Sequence, residues 1–353
     1  MPEPVLTPQP YAPHGGPDGR LDRCEVKLDF SVNSNPFGPP KGLLEHLNTL
    51  NLSPYPDPAY PAAHAAVANY HGVAPGDIVL DKVVLGGAAE LTYRLSACYL
   101  KPGRSVLVAA PGFGEYSRAA GLYGAQVYNL SVYSRGAEPD ADRLVRAVQE
   151  TRPTLVWLAQ PNNPTGHAWS TGSLERVAVA CREHDALLVI DAAYLELSRA
   201  APDLPGDALV LVPLTKTFAI AGLRAGYALA PPEVAETLRR AAPPWSVSTP
   251  AAAAVVWCRS DDGQAFVRET VPELLELREA FQGGLRRLGY EVWDTYSSFF
   301  LANVGDAAAF TAQARDAGFR VRDASSFGLP TCVRLAAGLR GDNETFLRWL
   351  ASC

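Results

Sequence analysis

No apolar run in this chain approaches the roughly 20 residues that a bilayer span needs. The N-terminal stretch MPEPVLTPQPYAPHGGPDG has no apolar segment of the kind that drives secretion, so a cytoplasmic protein is expected. The six cysteines, at 24, 98, 181, 258, 332 and 353, form no CxxC pair. That spacing argues against a zinc finger or a disulfide framework and for reduced thiols without a chemical role, and no metal site is expected. Positive charge is not in excess either, since 31 Lys and Arg stand against 37 Asp and Glu, for a net charge of −6. A mildly acidic chain is a poor general binder of nucleic acid. Neither a membrane nor a nucleic acid is therefore an expected partner.

What is present is enough apolar material for a large core. Of 353 residues, 48% are hydrophobic, and the length suits two domains or one large domain with a satellite. The first 40 residues are broken by Pro and Gly and read as a surface arm. Short apolar runs then follow at 83–85, 105–110, 125–130, 154–159, 186–191, 208–213 and 225–229. Helical spacing fills most of the intervals, as at 89–100, 141–150 and 174–183. Continuous apolar strands alternating with helices predict a mostly parallel sheet of about seven strands, covered on both faces. Pro231–Pro232 and Pro243–Pro244 mark a change. Beyond them come long helices (251–259, 266–288), strands at 291–293, 299–304 and 333–336, and a last helix, which read as a smaller α+β domain. The expected division is an arm at 1–40 that forms part of the small domain, a large α/β domain at 41–240 and a small domain at 241–353.

In open α/β sheets ligands bind beyond the C-terminal ends of the strands. Four such ends carry polar sequence: Gly86-Gly87-Ala88-Ala89 opening a helix, Gln160-Pro161-Asn162-Asn163-Pro164-Thr165-Gly166, Asp191-Ala192-Ala193-Tyr194, and Leu214-Thr215-Lys216 with Gly222-Leu223-Arg224. One crevice can thus hold a Lys, an Asp, an Asn, a Tyr, an Arg and a helix N-terminus. A Lys amine condenses with an aldehyde. An Asp carboxylate can keep a pyridine nitrogen protonated, so that the ring stays an electron sink. Asn and Tyr can hydrogen-bond a ring oxygen, and Arg with helix N–H groups can hold a phosphate. Together these requirements describe pyridoxal 5′-phosphate.

The segments Pro161-Asn162-Asn163-Pro164-Thr165-Gly166 and Leu214-Thr215-Lys216-Thr217-Phe218-Ala219-Ile220-Ala221-Gly222-Leu223-Arg224 resemble the fold-type I class I/II aminotransferases over about residues 14–350. Within them the chain is similar to histidinol-phosphate aminotransferases and threonine-phosphate decarboxylases. The resemblance implies an aspartate aminotransferase-like α/β fold and a homodimer with shared active sites. It implies a Schiff base on Lys216, Asp191 on the pyridine nitrogen, Asn163 and Tyr194 on the ring oxygen, and Phe113 stacked on the ring. Ala88, Ala89, Thr215 and Arg224 would hold the phosphate, and Tyr55 would reach the phosphate of the neighbouring subunit. Arg334 would bind a substrate carboxylate, Arg322 a second anion such as a substrate phosphate, and Asn33 and Asn35 would face the substrate. Pro213 and Ala89 stand where the family usually has polar residues.

The implied activity is transfer of an amino group between an amino acid or amino alcohol, phosphorylated in the case of a histidinol-phosphate aminotransferase, and a 2-oxo acid. The alternative is decarboxylation of threonine phosphate or a similar compound. His14-Gly15-Gly16 and Arg322-Asp323-Ala324-Ser325-Ser326-Phe327 lean towards that branch, although His14 itself is read as part of the arm without a role in the chemistry. A fold retained for non-catalytic ligand binding is opposed by the joint presence of Lys216, Asp191, Asn163, Tyr194 and Arg224.

Overall fold

The computed structural model describes residues 6, 9, 14–16, 25–72 and 83–352. Most of the arm before residue 25 lies outside the described residues, as do Cys24 and Cys353, while Cys98, Cys181, Cys258 and Cys332 are free thiols. The first half of the chain runs β1 (Leu28–Asp29), α1 (Lys41–Asn48), α2 (Pro61–Tyr70), β2 (Val83–Leu85), α3 (Ala88–Tyr99), β3 (Ser105–Ala110), α4 (Gly114–Leu122), β4 (Gln126–Ser131), α5 (Ala141–Thr151), β5 (Leu155–Ala159), α6 (Thr171–Glu183) and β6 (Leu187–Asp191). The second half runs β7 (Leu209–Pro213), β8 (Gly226–Leu229), α7 (Pro232–Ala241), α8 (Thr249–Cys258), α9 (Asp261–Arg287), β9 (Glu291–Val292), β10 (Phe299–Asn303), α10 (Ala307–Asp316), β11 (Phe319–Arg320), β12 (Arg322–Asp323), β13 (Cys332–Ala336) and α11 (Arg340–Ala351).

Seven strands make the main sheet, in the order β2-β8-β7-β6-β5-β3-β4. Only β8 runs against the others, antiparallel to both β7 and β2. All five residues of β5 are buried, because helices cover both faces. Side chains alternate between the faces. Val156 and Leu158 join Leu188, Ile190 and the inner residues of α5 and α6 on one side. Leu155 and Trp157 join Val189, Leu209 and the inner residues of α3, α4 and α7 on the other. Side-chain caps start several helices: Asp140 accepts from the Arg143 N–H at α5, and Ser170 from the Ser173 N–H at α6.

The smaller sheet, β12-β13-β10-β9, is wholly antiparallel. β1 pairs in parallel with β11, and Phe30 packs against Phe281, Phe319 and Phe346. Residues 28–30 of the arm are therefore part of this core. Helix α8 does not belong to it, because Ala251, Ala254, Val255 and Cys258 pack with Leu43, Val67, Leu214 and Tyr227 of the large body. Helix α9, with 27 residues, then spans both units: Leu274 packs beside Leu197 near the large sheet, and Phe281 lies in the small core.

Each of the expected sheet strands and interval helices has its counterpart within a few residues. The sequence alone did not show α1, α2, α4, α7 and α10 or the two-residue strands β1, β11 and β12, whereas β9 falls within the strand expected at 291–293. Pro231–Pro232, read as a break, is where α7 begins, since Pro is compatible with a first turn whose N–H groups have no helical partner. Among the described residues no helix is long and apolar enough to cross a membrane.

Candidate active site

A cavity of about 650 Å³ opens beyond the C-terminal ends of β5, β6 and β7. The N-terminus of α3 and the start of α4 close one side. Residues 31–33, with Arg322, Phe327 and Arg334 of the small unit, close the other. Of the expected site residues, Asn33, Ala88, Ala89, Phe113, Asn163, Asp191, Tyr194, Thr215, Lys216, Arg224, Arg322 and Arg334 all line it. Asn35 does not. Its amide group donates to Thr270 Oγ1 and accepts from the Phe37 N–H, while its backbone N–H donates to the Lys216 carbonyl at 2.9 Å. Asn35 thus fastens the N-terminal segment to the lysine's backbone instead of facing the cavity. Tyr55 also lies outside the cavity lining, 77% exposed and stacked on Trp245 at 4.5 Å between ring centroids.

Asp191 is the last residue of β6, opposite Ala159 of β5 in the parallel register. Its Oδ1 accepts from the Ala193 N–H at 3.0 Å and its Oδ2 from the Tyr116 hydroxyl at 2.5 Å. Burial pushes its carboxyl pKa up, and these two hydrogen bonds act against that rise. Lys216 follows the end of β7 by three residues. Burial lowers its pKa to about 8, the guanidinium groups of Arg334 and Arg224 lower it too, and Asp29 opposes them. An amine at that value has a substantial neutral fraction near neutrality, as a nucleophile requires.

Arg334, in β13, is buried, and that burial brings its pKa down to about 10. Its Nη1 donates to Asn163 Oδ1 and its Nη2 to the Ser31 carbonyl at 2.6 Å. The guanidinium also lies over the Phe299 ring, 5.5 Å from its centroid. Arg322 is the direct cross-strand neighbour of Arg334. It donates to Ser326 Oγ at 2.7 Å and covers the Phe327 ring at 5.1 Å. Two cations opposite one another on a strand pair repel. Their repulsion falls when an anion enters between them. Asn33 is buried beside Tyr194 and acts as a hydrogen-bond partner that works against the rise burial causes in the Tyr194 hydroxyl pKa.

At the far end, Gly87 caps α3, and the first residues of that helix, Ala88 and Ala89, line the cavity together with Arg224. A Cβ at residue 87 would come 3.2 Å from the Arg224 carbonyl and 3.7 Å from its Nη2, so glycine keeps this cradle open. Arg224 adopts a left-handed backbone (φ 56°), and its Nη1 donates to the Ala221 carbonyl at 2.9 Å. Helix N–H groups, Thr215 and a guanidinium around an open cradle suit a phosphate. Phe113, the N-cap of α4, presents a ring to the cavity. Amine, carboxylate, ring-oxygen partners, stacking ring and anion cradle together fit pyridoxal 5′-phosphate.

Several lining residues escaped the sequence reading. Tyr116 lies three positions after Phe113 on one helical face, a spacing that was a usable signal. Glu115, Tyr93 and Arg118 form a polar cluster at the cavity wall. His14, given no role, reaches Glu115 with its Nε2 at 3.1 Å and lies 5.5 Å from the Phe113 ring. Glu115 and Arg118 are three positions apart on α4, whereas His14 and Tyr93 reach them from segments far away in sequence, which no local pattern announces.

Fold and site together define a pyridoxal-phosphate enzyme of fold-type I. The family model described as "Aminotransferase class I and II" matches residues 25–350, and the chain belongs to that family. It is a pyridoxal-phosphate-dependent aminotransferase. The chain is 32% identical over 328 residues to a histidinol-phosphate aminotransferase of Haloarcula marismortui, covering 90% of this chain and 87% of the relative. It is 33% identical over 341 residues to one of Halobacterium salinarum, covering 90% and 88%. Among solved structures it resembles histidinol-phosphate aminotransferase of Sinorhizobium meliloti in complex with pyridoxal-5′-phosphate, with a TM-score of 0.84, 20% identity and coverage of 93% and 91%. L-threonine-O-3-phosphate decarboxylase of Porphyromonas gingivalis shares the fold, with a TM-score of 0.77, 23% identity and coverage of 92% and 98%.

Proposed function

We propose that the chain transfers an amino group from a phosphorylated amino compound of the histidinol-phosphate type to a 2-oxo acid. The observation that carries this reading is the cross-strand pair Arg322 and Arg334, two buried guanidinium groups lining the cavity that also holds Lys216. Bound pyridoxal phosphate supplies an aldehyde that accepts an amine and a ring that takes up the electrons released at the substrate α-carbon. Lys216 Nζ is the amine that holds the cofactor and then moves the proton at that carbon. Asp191 keeps the ring nitrogen protonated, and Asn163 and Tyr194 hold the ring oxygen. Phe113 covers the ring. The Ala88 and Ala89 N–H groups, Thr215 and Arg224 bind the cofactor phosphate. Arg334 takes the carboxylate of the oxo acid, Arg322 the phosphate of the amino donor, and Asn33 a polar group of the substrate.

We also infer a homodimer in which Tyr55 enters the partner's cavity. Tyr55 lies outside the lining of its own cavity and is exposed, stacked on Trp245, which supports that reading. The division at residues 40 and 240 is retained as a proposal with one change, α8 moving with the large body. The working compartment is proposed to be the cytoplasm.

The test is turnover of histidinol phosphate with 2-oxoglutarate. Arg322→Ala should raise KM steeply for the phosphorylated substrate and leave an unphosphorylated analogue unchanged. Equal effects on both compounds, or on neither, would remove Arg322 from the site. Two placements favour the decarboxylase reading, His14 and Arg322 at the cavity wall, since threonine phosphate offers a carboxylate and a phosphate to the paired guanidinium groups. Release of CO₂ from threonine phosphate without amino transfer would replace the proposal with that reading.

A further inference from the structure

Asp191 does not hold its position alone. A column of three aromatic rings runs behind it. Phe113 meets Tyr116 edge-on, with ring centroids 5.4 Å apart and planes at 77°. Tyr116 in turn stacks on Trp157, with centroids 4.5 Å apart and planes at 13°. Tyr116 is 2% exposed and Trp157 is fully buried. Trp157 and Asp191 lie on adjacent parallel strands, where Trp157 pairs with Val189 and Asp191 stands two residues further along, on the same face. A hydroxyl within such a column is costly unless it is paired. Its partner is Asp191 Oδ2, at 2.5 Å. The other carboxylate oxygen is taken by the Ala193 N–H. Each oxygen therefore has one fixed donor, and the plane of the carboxylate is set from both sides.

We propose that Tyr116 is the positioning residue for Asp191: its hydroxyl fixes Oδ2 and so sets how the carboxylate meets the cofactor's ring nitrogen. The proposal rests on the reading that Asp191 pairs with that nitrogen. Tyr116 touches neither the substrate nor the reacting carbon in this role and acts only through Asp191. A donor to a carboxylate favours its ionised form. In a site where burial works against ionisation, losing one of two donors weakens the charge that faces the ring. The T-shaped contact with Phe113 adds a mechanical link, because the ring-stacking residue and the residue holding the carboxylate share one face at the start of α4.

The test is a binding cycle on apoprotein with two cofactors: pyridoxal phosphate, and its analogue with a C–H in place of the ring nitrogen. Tyr116→Phe keeps the ring stack and deletes only the hydroxyl. Its dissociation constant for pyridoxal phosphate should rise about tenfold, the scale of one hydrogen bond to a charged group. Its dissociation constant for the carbon analogue should not change. The pH dependence of the bound pyridoxal phosphate's visible absorption should shift, and the melting temperature should hold. Trp157→Phe disturbs the column without removing the hydroxyl and should weaken both cofactors alike. Equal weakening of both cofactors by Tyr116→Phe, no weakening of either, or a variant that no longer folds would assign the hydroxyl to packing and overturn the proposal. Asp191→Asn tests the parent reading separately. If it still discriminates between the two cofactors as the wild type does, Asp191 does not serve the nitrogen, and the assignment of Asp191 fails first.

Discussion

The cavity has two walls with different states of pairing. On the large-sheet side, Asp191 has a donor on each oxygen, and the Lys216 carbonyl is held by Asn35. These groups stand ready before any ligand arrives, at the ends of β6 and β7 in a sheet packed on both faces. On the other side, Arg334 is held through Nη1 and Nη2, but its Nε is buried without a hydrogen bond among the described residues, and Arg322 faces it across a strand pair. Buried polar groups left in this condition cost stability unless a ligand completes them. The first wall is built to hold one resident group in one geometry. The second gains from a guest anion that enters and leaves, as a transaminase requires when two substrates take turns in one site.

The widest separation between the walls comes from Lys216. Lys216→Ala should abolish turnover and the visible absorbance of the bound cofactor while leaving the melting transition near its wild-type value. Asp191→Asn should follow, with kcat reduced about 10³-fold, the scale of removing a major electrostatic stabiliser. If that variant kept most of its kcat, the ring nitrogen would have another partner. Arg334→Lys tests the second wall. A lysine cannot reproduce the guanidinium fork, so carboxylate substrates should bind roughly ten- to a hundredfold more weakly. Affinity for pyridoxal phosphate should change little, and a parallel loss of cofactor would erase the distinction between the walls.

A subtler effect concerns pH. The Lys216 amine, lowered to about 8, is protonated below that value and neutral above it. Only the neutral amine attacks an aldehyde, so the rate at which apoprotein captures pyridoxal phosphate should climb as pH rises through about 8 and then level off. Stopped-flow absorbance would show it, and a rate still climbing towards pH 10 would mean that burial does not lower this amine. The smallest expected effect is partial rescue on mixing and reassembling Tyr55→Phe with Lys216→Ala subunits, which restores one intact site per hybrid dimer. A fully active monomer by light scattering would contradict the shared site.

The contrast between the walls also explains what was legible in the sequence. The large sheet announced itself because strands such as β5 are buried on both faces and appear as unbroken apolar runs. Its candidate site residues follow strand ends in compact motifs, so the sequence alone singles out Asn163, Asp191, Lys216 and Arg224. The second wall is assembled from distant pieces. The pairing of β1 with β11 and the facing of Arg322 and Arg334 depend on two-residue strands with too little sequence to carry a period. Asn35 shared a motif with Asn33 yet turned to Thr270, because successive positions of an irregular segment need not face one way. Tyr116 was passed over because α4, with Gly114 and Gly121, is a weak helix by composition. Its partner Asp191 is 75 residues away.

The central claim is that Lys216, at the end of β7, is the residue that bonds to pyridoxal phosphate. Borohydride reduction of the holoenzyme followed by proteolysis and mass spectrometry reads that bond directly. One modified peptide is expected, carrying the reduced cofactor on Lys216, and none from the Lys216→Ala variant. A modified peptide containing another lysine, or the absence of any, would contradict it.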